Sequence, residues 1–469
     1  MSSKKLFIII IIIIGVVGIV FFAKNGVAPG TDDGEANIPL LGFNPPSVPV
    51  DQVGKHPNIL LIIADDMGLD ADPCHPDIGS EKPNMPNLLA ICKKGVTFDN
   101  VWVNPVCSPT RATMMSGQYG FRTGVTDVDK ILSPDVKSLA DILTNEVPVP
   151  YANAFIGKWH MSGPDADLNA PSALWVQYFA GFMAGGVRNY FDYPLIEQGV
   201  KTRSTTYTTT AFTDKAISWI QGQKSKDPNR PWFMWLAYNA PHAPFHIPPR
   251  ELINDKTLSG TAEDVKNNPR KYYFAALEAL DKEMGRLLSS ISPEVLANTT
   301  IIFVGDNGTP KEVIQAPYSA EKAKASVYEW GVWGVLAVTG KSITRSDVHD
   351  PALINATDLY ATIADLAGSS QTKMNDSTSF KQAFIWAYNE RDFLYTEWVP
   401  AKGPKRDIWA LRDAQYKVID NNGKKELYDL LADPYENNNL MKSALSADLQ
   451  EVLRKLESYE KALREKPMY

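Results

Sequence analysis

The chain has 469 residues, of which 44% are hydrophobic, 10% aromatic and 22% charged. That balance supports a full hydrophobic core and excludes both a disulfide-stapled miniprotein and a mostly disordered chain. Its 54 acidic residues outnumber 47 basic ones, for a net charge of −7, which argues against general nucleic-acid binding. Leu6 to Ala23 is an apolar run of 18 residues preceded by Lys4 and Lys5. As a helix it would reach about 27 Å, nearly the thickness of a bilayer core. Residues 1–23 therefore read as a secretory signal or a membrane anchor, and the remainder as exported to a periplasm, cell surface or secretory compartment. Residues 24–57 hold six prolines and five glycines, the composition of a tether over 24–56. The three cysteines, Cys74, Cys92 and Cys107, leave at least one thiol unpaired in any disulfide scheme.

From Pro57 onward, short apolar runs alternate with helical patterns. Asn58–Ile63, Ala152–Ile156, Trp232–Ala237 and Thr300–Val304 read as buried strands, and Tyr273, Leu277, Leu280, Met284, Leu287 and Ile291 mark one helix face. This alternation predicts an α/β fold over 57–368, a large mixed, mostly parallel sheet flanked by helices. After Gly368 a polar stretch leads to strand patterns at Phe393–Trp398, Ile408–Arg412 and Tyr416–Ile419, a turn at Asn421-Asn422-Gly423, and a leucine-striped helix from Leu445 to Leu463. Residues 369–469 therefore read as a small C-terminal antiparallel sheet plus helix.

Four polar clusters directly follow predicted strands: Asp65 and Asp66, Lys158 and His160, His242, and Asp306 and Asn307. In a doubly wound sheet such clusters converge at the carboxyl ends of the strands. Taken singly, each is as well explained by a turn or a helix cap. Three carboxylates and one amide oxygen form a hard-oxygen set suited to Ca²⁺ or Mg²⁺ and poor for zinc. Cys107-Ser108-Pro109-Thr110-Arg111 reads as a loop entering a helix, with Arg111 on the face of Cys107 if that first turn is helical. Composition alone leaves Cys107 open between a functional thiol and a small buried hydrophobe.

The run Cys107 to Ala112, with Ser116-Gly117-Gln118-Tyr119 and Arg122-Thr123-Gly124, resembles the C-x-P-x-R core of the sulfatase family. The resemblance extends through Ile62–Gly68, Gly157–His160, Pro241–Pro244, Gly305–Gly308, Lys324–Gly331 and Glu426–Leu430, nearly the whole folded chain. It implies that Cys107 is converted to formylglycine, whose hydrate attacks sulfur with one hydroxyl and expels sulfate through the other. It further implies one Ca²⁺ held by Asp65, Asp66, Asp306, Asn307 and the modified Cys107, with Arg111 supporting the hydrate. Lys158 and Lys324 would neutralise sulfuryl oxygens, His160 would assist collapse of the covalent intermediate, and His242 would protonate the leaving oxygen. The implied activity is hydrolysis of a sulfate ester on a sulfated small molecule or glycan, after processing by a formylglycine-generating maturation enzyme. Rival readings are a phosphate or phosphonate monoester hydrolase of the same superfamily and an inactive glycan-binding homologue. Trp330 stands where the family commonly has glycine, and Trp333-Gly334 where Arg and Pro are common, which bears on the placement of Lys324.

Overall fold

The computed structural model describes residues 56–164, 167–227, 229–400 and 407–466. The apolar run at 6–23 and the tether up to residue 55 lie outside the described residues. Among the described residues no helix is long and apolar enough to cross a membrane.

Ten strands form one sheet: β1 (Asn58–Asp65), β2 (Val96–Trp102), β3 (Ala152–Lys158), β4 (Tyr178–Phe182), β5 (Tyr193–Glu197), β6 (Val200–Ser204), β7 (Trp232–Pro241), β8 (Thr299–Gly305), β9 (Leu336–Gly340) and β10 (Val348–Asn355). Their order is β10-β2-β9-β8-β1-β7-β3-β4-β5-β6. The centre is parallel, with β1 between β7 and β8 and β3 between β7 and β4. β9 runs antiparallel between β8 and β2, and β5 and β6 extend the far edge as an antiparallel hairpin. All eight residues of β1 are buried, because helices cover a central parallel strand on both faces and leave no side for polar residues. The helices Thr208–Lys226 and Pro269–Ser290 pack together against β7, while Cys107–Ser116, Leu139–Asn145 and Asp358–Leu366 form another packed group.

The small sheet holds four antiparallel strands, β13 (Leu394–Trp398), β14 (Ile408–Arg412), β15 (Tyr416–Asn421) and β16 (Lys424–Asp429), preceded by a two-residue pair, β11 (Lys373–Met374) and β12 (Ser377–Thr378). The helix Ala447–Glu465, capped by the Ser446 hydroxyl, packs on β14 and β15 through a fully buried Leu456. The expected fold class therefore holds. Its details differ in two places: the Glu426–Leu430 motif lies largely on a fourth strand, β16, and Ile291 falls just past the long helix in extended backbone.

Candidate active site

Four parallel central strands deliver the polar clusters to one end of the sheet, with His242 directly after β7. Asp65 is the last residue of β1, Lys158 the last of β3, and Asp306 and Asn307 follow β8 directly. The pairing of β1 with β7 shifts register after Ile63, and Asp66 adopts a left-handed backbone (φ 74°) that turns the chain across the strand ends. There the Asp66 amide donates to Asp306 Oδ1 at 3.1 Å, which links the ends of β1 and β8.

Cys107 opens a ten-residue helix behind an extended Val106, and every residue of that helix is buried. Arg111 lies one turn on, as the spacing predicted, and is fully enclosed. Its Nε and Nη2 donate to Asp306 Oδ2 at 3.0 and 2.7 Å, and its Nη1 donates to the Lys158 carbonyl at 2.8 Å. Lys158 Nζ donates to both oxygens of Asp65, at 2.9 and 2.7 Å. Lys324 pairs with Asp66 Oδ1, which also accepts from Asn307 Nδ2 at 2.8 Å. Three carboxylates thus meet three cations. Lys324 reaches the site with Trp330 in place, and the Trp330 ring packs against Tyr318, tilted by 31° with centroids 3.4 Å apart.

The two histidines flank this cluster differently. His160, with a left-handed backbone (φ 57°), sets Nδ1 3.1 Å from Cys107 Sγ and Nε2 3.3 Å from Asp129 Oδ1. Burial, with Lys158 and Arg111 nearby, lowers its pKa to about 3. His242 is partly exposed, donates from Nδ1 to the Ala243 carbonyl at 2.6 Å, and holds Nε2 3.8 Å from Asp66 Oδ2. Burial, reinforced by Lys158 and Lys324 against the pull of Asp66, lowers it to about 4. Both rings are neutral at pH 7. His246, by contrast, stacks 3.9 Å from the Tyr190 ring within an aromatic group.

The carboxylates respond to burial and to one another. Burial pushes Asp65 well above the usual carboxylate range, helped by Asp306 and Asp66 and offset by Lys158 and Arg111. Burial acts the same way on Asp66 and Asp306, but Lys324 with His242 holds Asp66 below its ordinary value, and Arg111 with Lys158 does so for Asp306. Single oxygens of Asp65 and Asp306 and the Cys107 sulfur lie within 4.8 Å of one another. Asn307 Oδ1 is buried without a hydrogen-bond partner. An acceptor-only oxygen left over beside three carboxylates fits a divalent cation with oxygen ligands.

Asp129, Gly185 and Gly186 also belong to the site and carry no sequence signal. A Cβ on Gly185 would lie 2.6 Å from His160 Nε2, and one on Gly186 3.1 Å from His242 Cε1, so this glycine pair backs both imidazoles. Arg188, Lys201 and Arg203 are exposed, and Arg203 pairs with Asp192.

A family model described as Sulfatase matches residues 57–369. The chain belongs to the sulfatase family. Among curated sulfatases it is 24% identical to mouse arylsulfatase J over 67% of this chain and 53% of that protein. It is 25% identical to the ulvan-active sulfatase of Formosa agariphila over 82% and 77%, and 24% identical to the choline-sulfatase of Rhizobium meliloti over 82% of each. The chain thus spans about half the length of arylsulfatase J. The solved structure of Ps i-CgsB in complex with k-i-k-neocarrahexaose superposes with a TM-score of 0.71 at 27% identity, covering 86% of this chain and 93% of that one. A structure bound to D-glucosamine-2-N,6-O-disulfate shares the fold with a TM-score of 0.70 at 21% identity, over 88% and 99%.

Proposed function

We propose that this sulfatase hydrolyses a sulfate ester of a small molecule or glycan, with Cys107 as the formylglycine precursor and one Ca²⁺ held by Asp65, Asp66, Asp306, Asn307 and residue 107. The observation that carries the reading is the free Cys107 at a helix start, its sulfur 3.1 Å from His160 Nδ1 and grouped with Asp65 and Asp306. Ca²⁺ supplies positive charge that polarises a sulfate oxygen. Formylglycine at position 107 would supply, once hydrated, one hydroxyl for attack on sulfur and a second through which sulfate could depart.

The side chains divide the remaining work. Arg111 bonds Asp306 and the Lys158 carbonyl and so ties the ends of β3 and β8 together. Three cations already balance the three carboxylates. A divalent ion would therefore leave a doubly positive pocket, matched to an anionic ester. Lys158 and Lys324 bring the ammonium charges that offset charge developing on the sulfuryl oxygens. Neutral His160 is placed to take a proton from the group at position 107 through Nδ1, while its Nε2–H is oriented by Asp129. His242 keeps its Nδ1–H on the Ala243 carbonyl. An arriving anion would favour the charged imidazole, so Nε2, protonated from solvent as the ester binds, would give that proton to the departing alcohol oxygen and return to the neutral form.

The Cys74–Cys92 disulfide supports an oxidising, exported setting, in keeping with the N-terminal apolar run. The names of the ulvan-active and choline sulfatases and the carbohydrate bound to Ps i-CgsB span both substrate classes. The test is peptide mass spectrometry of protein from its native source, combined with matched aryl sulfates and phosphates. An aldehyde at residue 107, a higher kcat/KM for sulfate, and loss of turnover on chelation with recovery in Ca²⁺ are expected. Full activity with an alkylatable Cys107 thiol, or a preference for phosphate, would overturn the reading.

A further inference from the structure

The geometry points to a second metal site on the surface, in which His75 Nε2, His349 Nδ1 and Asp99 Oδ1 bind one Zn²⁺ ion. These residues come from three separated segments. His75 lies in the loop after β1, Asp99 in β2, and His349 in the edge strand β10, where it pairs with Thr97 and so shares a sheet face with Asp99. Asp99 Oδ1 lies 3.1 Å from His75 Nε2 and 2.8 Å from His349 Nδ1, and all three donor atoms lie within 4.8 Å of one another. Ligands on a tetrahedral zinc ion, at bond lengths near 2.0 Å, stand roughly 3.3 Å apart. Small side-chain movements therefore convert the hydrogen-bonded cluster into a coordination shell.

The donor chemistry selects the metal. Two imidazoles and one carboxylate suit zinc and are poor ligands for Ca²⁺, the converse of the oxygen set in the catalytic cleft. The support behind the ligands is that of a metal site as well. His75 Nδ1 is bonded to Asp72 Oδ2 at 2.8 Å, the carboxylate–imidazole pairing that fixes ring orientation on a ligating histidine. Asp72 is itself held, since its Oδ1 accepts from the Cys74 amide at 3.0 Å. The adjacent Cys74–Cys92 disulfide ties this loop to the helix Pro86–Lys93. His75 is 7% exposed, whereas the His349 and Asp99 side chains are 50% and 34% exposed, so the site opens to solvent on one side with room for a water as fourth ligand. None of the four residues takes part in the sulfate-ester chemistry above.

The rival account is a protonated His75 bridging Asp72 and Asp99 with no metal. Zn²⁺ titration of the tag-free full chain against a chromophoric chelator, with Ca²⁺ in excess, decides between them, as does the absorption spectrum of the Co²⁺-loaded protein. Expected are one Zn²⁺ per chain, a tetrahedral Co²⁺ spectrum, at least a tenfold loss of Zn²⁺ affinity in His349→Ala and in Asp99→Asn, and unchanged aryl-sulfate turnover in both. Asp72→Asn, which keeps all three ligands, should lose about tenfold. Unchanged zinc affinity in His349→Ala, or affinity lost in Asp306→Asn instead, would overturn the proposal. Because His349 is half exposed, its variant folds and remains a fair test even if the Asp99 variant does not.

Discussion

Gly185 lies directly against the His160 ring. A methyl group there would meet both Cε1 and Nε2 at 2.6 Å, so Gly185→Ala must displace the imidazole from residue 107 or from Asp129. We expect kcat to fall at least tenfold with little change in Tm, because the clash falls on a side chain that can move. Gly186→Ala meets His242 at 3.1 Å, a milder contact. Its loss should grow as the leaving-group pKa of a series of aryl sulfates rises, since only poor leaving groups need the proton from His242. A loss of equal size across that series would remove His242 from the proton-donor role. Arg111 poses a different problem, because it is fully buried and satisfies Asp306 with two donors. Arg111→Gln leaves that carboxylate short of its cation, at a cost of about 3–5 kcal/mol. Urea unfolding should show this loss, and excess Ca²⁺ should restore part of it by supplying the missing positive charge.

Strand β13 brings a carboxyl group into the interior beside the segment that follows the Cys107 helix. Glu397 is 1% exposed and accepts from the Phe121 amide at 2.6 Å. Burial raises its pKa from 4.5 to about 7 against the opposing pull of Phe121 and Arg464. Between those values the folded chain keeps a proton that the unfolded chain releases. Its contribution to stability is therefore full below pH 4.5 and lost as pH rises through 7, a change of about 3 kcal/mol. Glu397→Gln should flatten this dependence; urea midpoints at pH 5 and 8 that differ as much in the variant as in the parent would refute it. The elements themselves were unevenly legible. β1, β3, β7 and β8 are continuous apolar runs, and the residues just past them could be assigned to one crevice from topology alone. The edge strand β6 has no buried residue and β16 begins with Lys424 and Lys425, so neither shows a strand period. Asp129 and Gly185 sit in irregular segments, and their roles arise only where the chain folds back on His160. The zinc-site residues were equally hidden, because His75, Asp99 and His349 meet only through the pairing of β2 with β10 and the loop pinned by Cys74.

On the scale of the molecule, a buried charge cluster joins the small sheet to the large one and to the segment that carries Lys324. Lys417 on β15 is fully buried, 3.1 Å from Glu329 Oε1 and 2.8 Å from Glu436 Oε1, with its ammonium 4.8 Å from the Trp102 ring centroid. Glu329 also accepts from Trp102 Nε1 at 3.2 Å, and its own amide donates to Glu436 Oε2 at 2.7 Å. Arg412 on β14 adds a second cation, 3.3 Å from Glu329 Oε2. Glu329 lies five residues after Lys324 and begins the helical turn Glu329–Val332, so the same cluster anchors one end of that loop. Lys417→Met leaves two buried carboxylates facing a single arginine and should cost about 3–5 kcal/mol. It should also lower kcat, since Lys324 loses a fixed support. Adding Glu436→Gln removes one of the stranded charges, so the double variant should recover at least half of the lost stability, a coupling that a double-mutant cycle measures directly. Strictly additive losses would mean that Lys417 and Glu436 are not coupled and that this pair does not hold the small sheet. A Lys417→Met enzyme with unchanged kcat would show that the cluster docks the sheet without positioning Lys324.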